Sequence, residues 1–208
     1  MKKWFSLALA LMLVLTLAAC GGDSGKSGSS GSSNDGAGSG DVYANDDGYG
    51  EGRLGDTVHS YFLDFTVNSA YTTDSYAGFT PAEGNQVLVV NMTVKNTFNE
   101  SITMWDDDFW CQWSSGQEAE DFAYAITEDG SDLPLDTISD EQLPGEYDLS
   151  VSEERTGDLV FEVPAGDGAA DGNFEKDFSI AHQEYFVNQQ GAEEDGNTFF
   201  VFFTANHQ

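Results

Sequence analysis

Three consecutive carboxylates, Asp106-Asp107-Asp108, stand between two runs that read as strands, and charges so crowded repel unless a cation or solvent screens them. Calcium takes about six to eight hard oxygens, so these three residues form the best local calcium candidate. Asp129-Gly130-Ser131-Asp132 and the run Asp167 to Asn173 are looser candidates, and none has the EF-hand spacing. No other cofactor is implied. Nucleophilic hydrolysis needs a serine or cysteine beside a histidine base, yet the chain has only His59, His182 and His207 and no Gly-x-Ser-x-Gly elbow. A carboxylate pair for glycoside hydrolysis is uninformative here, because among 37 acidic residues some pair meets any spacing by chance. Zinc-type His/Cys clusters and phosphate-cradling glycine loops are lacking in the sequence, so it is expected to be non-catalytic. Trp105, Trp110 and Trp113 lie close along the chain, and an open tryptophan face stacks on sugar rings or fills a partner's pocket. Trp110 and Trp113 have opposite parity, which sends one of them to the core and leaves Trp110 as the candidate binding residue.

The elements that must position these residues are strands. Leu63, Phe65 and Val67 alternate with polar neighbours, while Leu88, Val90, Met92 and Val94 face one way and Val87 and Val89 the other, as in a central strand whose outer face is partly covered. Further strands are expected at Ser101–Trp105, Phe109–Trp113, Tyr147–Val151, Gly157–Val163, Phe174–Ala181 and Thr198–Thr204, with turn-forming residues between them. Gln117 to Ala125 reads as a short helix. Cys111 shares parity with Phe109 and Trp113 and is expected to be a buried, inert thiol. This spacing predicts an all-β sandwich.

The segments Leu54-Gly55-Asp56-Thr57-Val58, Phe65-Thr66-Val67, Pro81 through Val90 and Val94-Lys95-Asn96 resemble the opening of the DUF4352-type domains found in many Gram-positive lipoproteins. Leu143-Pro144-Gly145-Glu146 and Gly157 through Pro164 resemble that family's closing motif. The resemblance implies an immunoglobulin-like antiparallel β-sandwich and no particular activity, because a fold does not fix a function. The acidic stretch from Trp113 to Leu143 departs from the family pattern and is where a specific function would reside.

The formal charge is -30, and removal of Met1 to Ala19, with two lysines and no acid, would lower it by two more. Nucleic acid is excluded as a partner, since phosphate backbones need clustered Lys and Arg. Lys2 and Lys3 precede an apolar run from Trp4 to Thr16 that is too short to span a bilayer and reads as an export signal. Leu17-Ala18-Ala19-Cys20 resembles the bacterial lipobox, which implies cleavage at residue 19 and a diacylglycerol on Cys20. Two acyl chains on one residue suffice for stable anchoring at the outer face of the cell membrane. Residues 20–52, mostly Gly and Ser at first, are expected to form a disordered linker with a reach of roughly 30 Å. The sandwich is placed at residues 53–208. Together these features describe a lipid-anchored extracytoplasmic module that binds an envelope protein or glycan, with a calcium-responsive structural domain as the alternative and a hydrolase as the third.

Overall fold

The computed structural model describes residues 40–114, 120–131, 133–165, 178–187 and 190–208, all within one compact unit, Gly36–Gln208. Among them the alternating pattern becomes strands only: β1 (Asp41–Val42), β2 (Tyr49–Arg53), β3 (Thr57–His59), β4 (Leu63–Thr73), β5 (Asn85–Asn96), β6 (Ile102–Trp105), β7 (Trp110–Ser114), β8 (Glu120–Tyr124), β9 (Glu146–Leu149), β10 (Glu154–Pro164), β11 (Phe178–Val187), β12 (Glu193–Phe203) and β13 (Asn206–His207). Sheet A runs β1-β3-β4-β5-β10, with β13 also on β4, and sheet B runs β2-β12-β11-β7-β8. A separate ribbon joins β6 to β9. The chain leaves sheet A after β5, builds the β7–β8 hairpin in sheet B, returns as β10 beside β5, and crosses again to place β11 beside β7. That exchange is the Greek-key connectivity of an immunoglobulin-like sandwich.

The inner faces meet through the residues that the alternation marks. Phe65, Val67, Leu88, Val90, Met92 and Val94 from sheet A pack with Cys111, Phe178, Ile180, Phe199 and Val201 from sheet B, and with Phe109 just before β7, in one buried cluster. Each such side chain contributes about 1.5–3 kcal/mol by leaving water. A second cluster lies on the outer face of sheet A, where Val87, Val89 and Val160 are covered by Tyr76, Phe79 and Ile126. Asn96, the family-like residue at the end of β5, holds the crossover: its Nδ2 donates to the carbonyls of Glu100, Leu149 and Ser150, and its Oδ1 accepts the Phe98 N–H.

Three expectations change. Residues 41–53 belong to the folded unit, with β1 parallel to β3 and β2 parallel to β12, so the sandwich begins upstream of Arg53. In β2 the inward positions are Gly50 and Gly52, and the Phe199 ring occupies the place a side chain at Gly50 would need, so no hydrophobic alternation announces the strand. The sheets are mixed, because β1, β2 and β13, all from the two ends of the chain, add in parallel. Finally, Glu120–Tyr124 is a strand paired with β7, because its outward Phe122 and Tyr124 alternate with Ala123, which packs on the core.

Candidate binding face

Directly paired residues on neighbouring strands point to the same face of a sheet, so register alone assembles the outer surface of sheet B. One row reads Tyr124, Trp110, Ala181, Phe200 and Glu51 across β8, β7, β11, β12 and β2. The next reads Phe122, Gln112, Ser179, Phe202 and Arg53. On the far side of the first row, Gln183 pairs with Thr198 and Thr198 with Tyr49. Five strands give this surface a breadth of roughly 19 Å. Buried Ser179 and Ala181 form a low central strip between taller aromatic side chains on either side. Phe122 is 47 % exposed and Phe202 38 %, so aromatic area that could have entered a core faces water.

The rings are fixed in place by one another. Phe122 meets Tyr124 edge-on with centroids 5.6 Å apart, Phe200 stacks on Phe202 at 6.0 Å, and the Arg53 guanidinium lies 5.2 Å from the Phe202 centroid. Trp110 sits half-buried beside Ala181, inside the surface, while Trp113 turns inward to the core. The sequence-based choice of Trp110 therefore falls on this face. Its companions Phe122, Tyr124, Phe200 and Phe202 were not singled out; for β12 the signal was present, since Phe199, Phe200, Phe202 and Phe203 fall at both parities, more than one buried face needs, whereas Phe122 and Tyr124 share one parity.

Beside the β8 end of the face lies a cleft of about 290 Å³ lined by Trp105, Asp106, Asp107, Glu128, Ser131 and Pro134. Burial chiefly raises the Tyr124 hydroxyl pKa, with Asp107 and Glu128 adding repulsion, and Tyr185 responds to burial, Asp195, Tyr124 and Asp107. Asp106 is only 6 % exposed, and its Oδ2 has no hydrogen-bond partner among the described residues. Burial pushes its pKa up to about 6; a Thr127 hydrogen bond opposes the shift, and the Glu128 and Asp107 charges reinforce it. The family-like Gly145 is required here, because a Cβ at that position would lie 2.8 Å from Asp106 Oδ2.

The three aspartates expected to gather calcium do not converge. Asp108 Oδ2 accepts the Trp105 N–H at 2.7 Å and closes the turn, Asp106 is buried toward Gly145, and Asp107 is exposed. Among the described residues no group of three or more His, Cys, Asp or Glu side chains is arranged to hold a metal ion. A tight turn sends consecutive side chains in different directions, which defeats a ligand set built from adjacent positions. Of the looser candidates, Asp129 Oδ1 accepts the Ser131 N–H, while Asp132 and residues 167–173 lie outside the described residues, as does Cys20. The Cys111 thiol is fully buried and its pKa is raised by desolvation, as an inert core thiol requires. His182 is buried with Nδ1 2.9 Å from the Asp108 carbonyl, His59 bridges Asp64 and Asp41, and His207 lies by Thr72 and Asp74.

The profile of a family described as a domain of unknown function, DUF4352, matches residues 52–185. Among solved structures, the chain is similar to ycdA of Bacillus subtilis, named as a candidate lipoprotein, at 17 % identity and a TM-score of 0.44, over 70 % of this chain and 38 % of that one. It thus spans well under half the length of that protein. It is also similar to an uncharacterized β-sandwich protein of Clostridium difficile (13 % identity, TM-score 0.43, 73 % and 92 % covered). The yjhA protein of Bacillus subtilis is similar at 17 % identity and a TM-score of 0.44, with 72 % and 97 % covered. No curated protein matches the chain.

Proposed function

Because this chain belongs to the DUF4352 family, whose name assigns no activity, we propose from its own surface that it is a non-catalytic binding module. It acts at the cell envelope, tethered through a lipid on Cys20, and holds a glycan against the outer face of sheet B. The observation that carries this reading is the aromatic face: Trp110, Phe122, Tyr124, Phe200 and Phe202 surround a low strip of Ser179 and Ala181, with Gln112, Gln183 and Glu51 between and beside them. Sugar rings present flat C–H faces that stack on aromatics, and their hydroxyls hydrogen-bond to amide and carboxylate side chains nearby. A broad, shallow sheet surface suits an extended polymer better than a small molecule, which prefers a deep enclosed pocket. Register, which sets Trp110 in one row with Tyr124 and Phe200, supports a sheet face as the binding surface.

The test is depletion of the purified chain by insoluble envelope polysaccharide, comparing wild type with Trp110→Ala and Phe202→Ala. Retention should fall at least tenfold in each variant, about 1.4 kcal/mol, while the thermal midpoint of Phe202→Ala changes little. Equal retention of all three proteins, or release of soluble sugar by the wild type, overturns the reading. The lipid anchor has its own check: mass spectrometry of the membrane fraction should find the diacylglycerol mass on a peptide beginning at Cys20, and Cys20→Ser should release the protein from the cell.

A further inference from the structure

We propose that the end of the sandwich carrying Tyr61, Phe62, Phe98, Phe186 and Val187 is a second docking surface, and that its occupant is a basic amphipathic helix of a partner protein. The surface lies roughly 20 Å along β11 from Ala181, at the centre of the aromatic face, and stands independently of the glycan reading. Three parts of the chain bring it together. The β3–β4 loop supplies Tyr61 and Phe62, the segment after β5 supplies Phe98, and the end of β11 supplies Phe186 and Val187. Tyr61 lies edge-on to Phe62 at 4.9 Å and to Phe186 at 5.4 Å, and Phe62 lies edge-on to Phe98 at 5.3 Å. Tyr61 is nonetheless 63 % exposed and Val187 72 %, while the three phenylalanines are only partly buried. Apolar area gathered from separate loops at one end of a sandwich is a patch, not a scatter of single residues.

The patch is built in advance of any partner. Glu184, itself buried, accepts the Tyr61 N–H at 2.6 Å and the Asn197 N–H at 3.1 Å, which ties the β3–β4 loop to β12. The Phe62 carbonyl accepts the Thr97 and Phe98 amides, and the Phe186 ring fills the space that a side chain at Gly196 would take. Loops fixed in this way present their rings with little ordering left to lose on binding. Charge then selects the occupant. Register sets Val187 opposite Glu193 and Phe186 opposite Glu194, so carboxylates border the apolar patch. The cations nearest along these strands are already matched: Arg155 lies 3.6 Å from Glu153, and Lys95 stands between Asp64 and Glu154 in its row. A second copy would set like charge against like, and an anionic bilayer would be repelled in the same way. A basic segment is attracted instead. The rings stand 4.9 to 6.2 Å apart, close to the spacing of about 5–6 Å between i, i+3 and i+4 side chains on a helix. An apolar helical stripe flanked by Lys or Arg therefore meets rings along its centre and carboxylates along its border.

The experiment is calorimetric titration of the purified chain with a synthetic leucine–lysine peptide of helical period, a scrambled peptide of the same composition, and the peptide with glutamate in place of lysine. The amphipathic peptide should bind about tenfold more tightly than the scrambled one, and the glutamate peptide should not bind. Tyr61→Ser and Val187→Ser remove exposed apolar area without changing charge. Each should weaken the amphipathic peptide about fivefold or more, leaving the scrambled peptide and retention on envelope polysaccharide unchanged. Glu193→Gln combined with Glu194→Gln should flatten the salt dependence of binding. Thermal unfolding checks that each variant is folded; if Tyr61→Ser is not, the more exposed Val187→Ser decides alone. Equal binding of the amphipathic and scrambled peptides shows bulk charge attraction only and overturns the proposal, as does no binding, or binding that the folded serine variants leave intact. Sedimentation of the wild type with phosphatidylcholine vesicles, abolished by the same substitutions, assigns the patch to a lipid surface. A dimer in analytical ultracentrifugation that those substitutions dissociate assigns it to a second copy, and loss of polysaccharide retention in them assigns it to the glycan; each of these results overturns the basic helix.

Discussion

The apolar side chains on the outer faces of the two sheets meet opposite fates. On sheet A the chain covers its own apolar strip: Tyr76, Phe79 and Ile126 close over Val87, Val89 and Val160. The rest of that face is a polar ladder, with Asn68 donating to Asn91 and Thr93, Asn91 to Asp158, and Thr93 bonded to Thr156. Even the β10 edge is closed, since Ile126 donates to the Val160 carbonyl, Asp158 to that of Glu141, and Leu143 to that of Asp158. Sheet B leaves rings of similar size in the open and fixes them by stacking on one another. The chain thus buries one aromatic set with its own loops and displays another, and that difference is what the proposed binding role rests on.

The sharpest way to break this contrast is to remove a ring from each face. Tyr76→Ala empties a buried site and takes away the hydroxyl that donates to Asp158 Oδ2 at 3.0 Å. A loss of about 3 kcal/mol is expected, seen as a lower denaturant midpoint with unchanged slope. Phe122→Ala, on sheet B, should change stability by less than about 1 kcal/mol while weakening glycan retention several-fold. If Phe122→Ala proves as destabilising as Tyr76→Ala, the open face is structural and the contrast collapses.

How far the sequence reveals this contrast depends on which side chain carries it. The doubly apolar β5 is legible because Val87 and Val89 have the wrong parity for a one-sided strand, and their covered outer face follows. On β2 the inward residues are Gly50 and Gly52, so the ring completing the pattern, Phe199, comes from the partner strand and is invisible to any local reading. Trp110 could be assigned to the outer face by parity with Trp113, but the row it joins depends on β8, and Gln117 to Ala125 reads locally as a helix. The aspartate turn shows the same limit: three adjacent carboxylates suggest one ligand, yet the Trp105 amide claims one and burial another. Composition reports which groups are present, and only tertiary register reports which of them share a space.

A smaller effect separates the cleft from the core by pH. Asp106 and Asp108 are raised by burial to about 6 and about 7, with neighbouring acids adding to both shifts. Between the unfolded value near 3.8 and these folded values the native chain binds more protons than the unfolded one, so their contribution is complete at low pH and lost as pH rises through 6 to 7. The thermal midpoint should therefore decline from pH 5 to pH 8. Asp106→Asn should make the decline shallower. An unchanged slope in that variant would show that Asp106 is already ionised in the native protein at pH 5.

The smallest effect concerns the segment that links the faces, since β1 lies in sheet A and β2 in sheet B. His59 Nδ1 is 2.8 Å from Asp64 and Nε2 3.1 Å from Asp41, with the Tyr43 ring stacked on it at 4.6 Å. Burial works against the charged imidazole, but the hydrogen bonds its N–H groups donate to Asp41 and Asp64 prevail and its pKa is raised above 6.5. This staple is complete below that pH and weakens as pH rises through the folded value. Because Asp41 is exposed, screening keeps its worth under about 1 kcal/mol. Raising pH from 6 to 8 should speed amide exchange in β1 after correction for intrinsic rates, and His59→Gln should be fast at both. Exchange in β2 should not follow, because Phe199 over Gly50 and a five-residue pairing with β12 hold it independently. If β2 loosens together with β1, Tyr49 and Arg53 leave the aromatic face with it, and His59→Gln must then weaken glycan retention; if β1 alone responds, the staple fixes the start of the fold and the face is rigid without it.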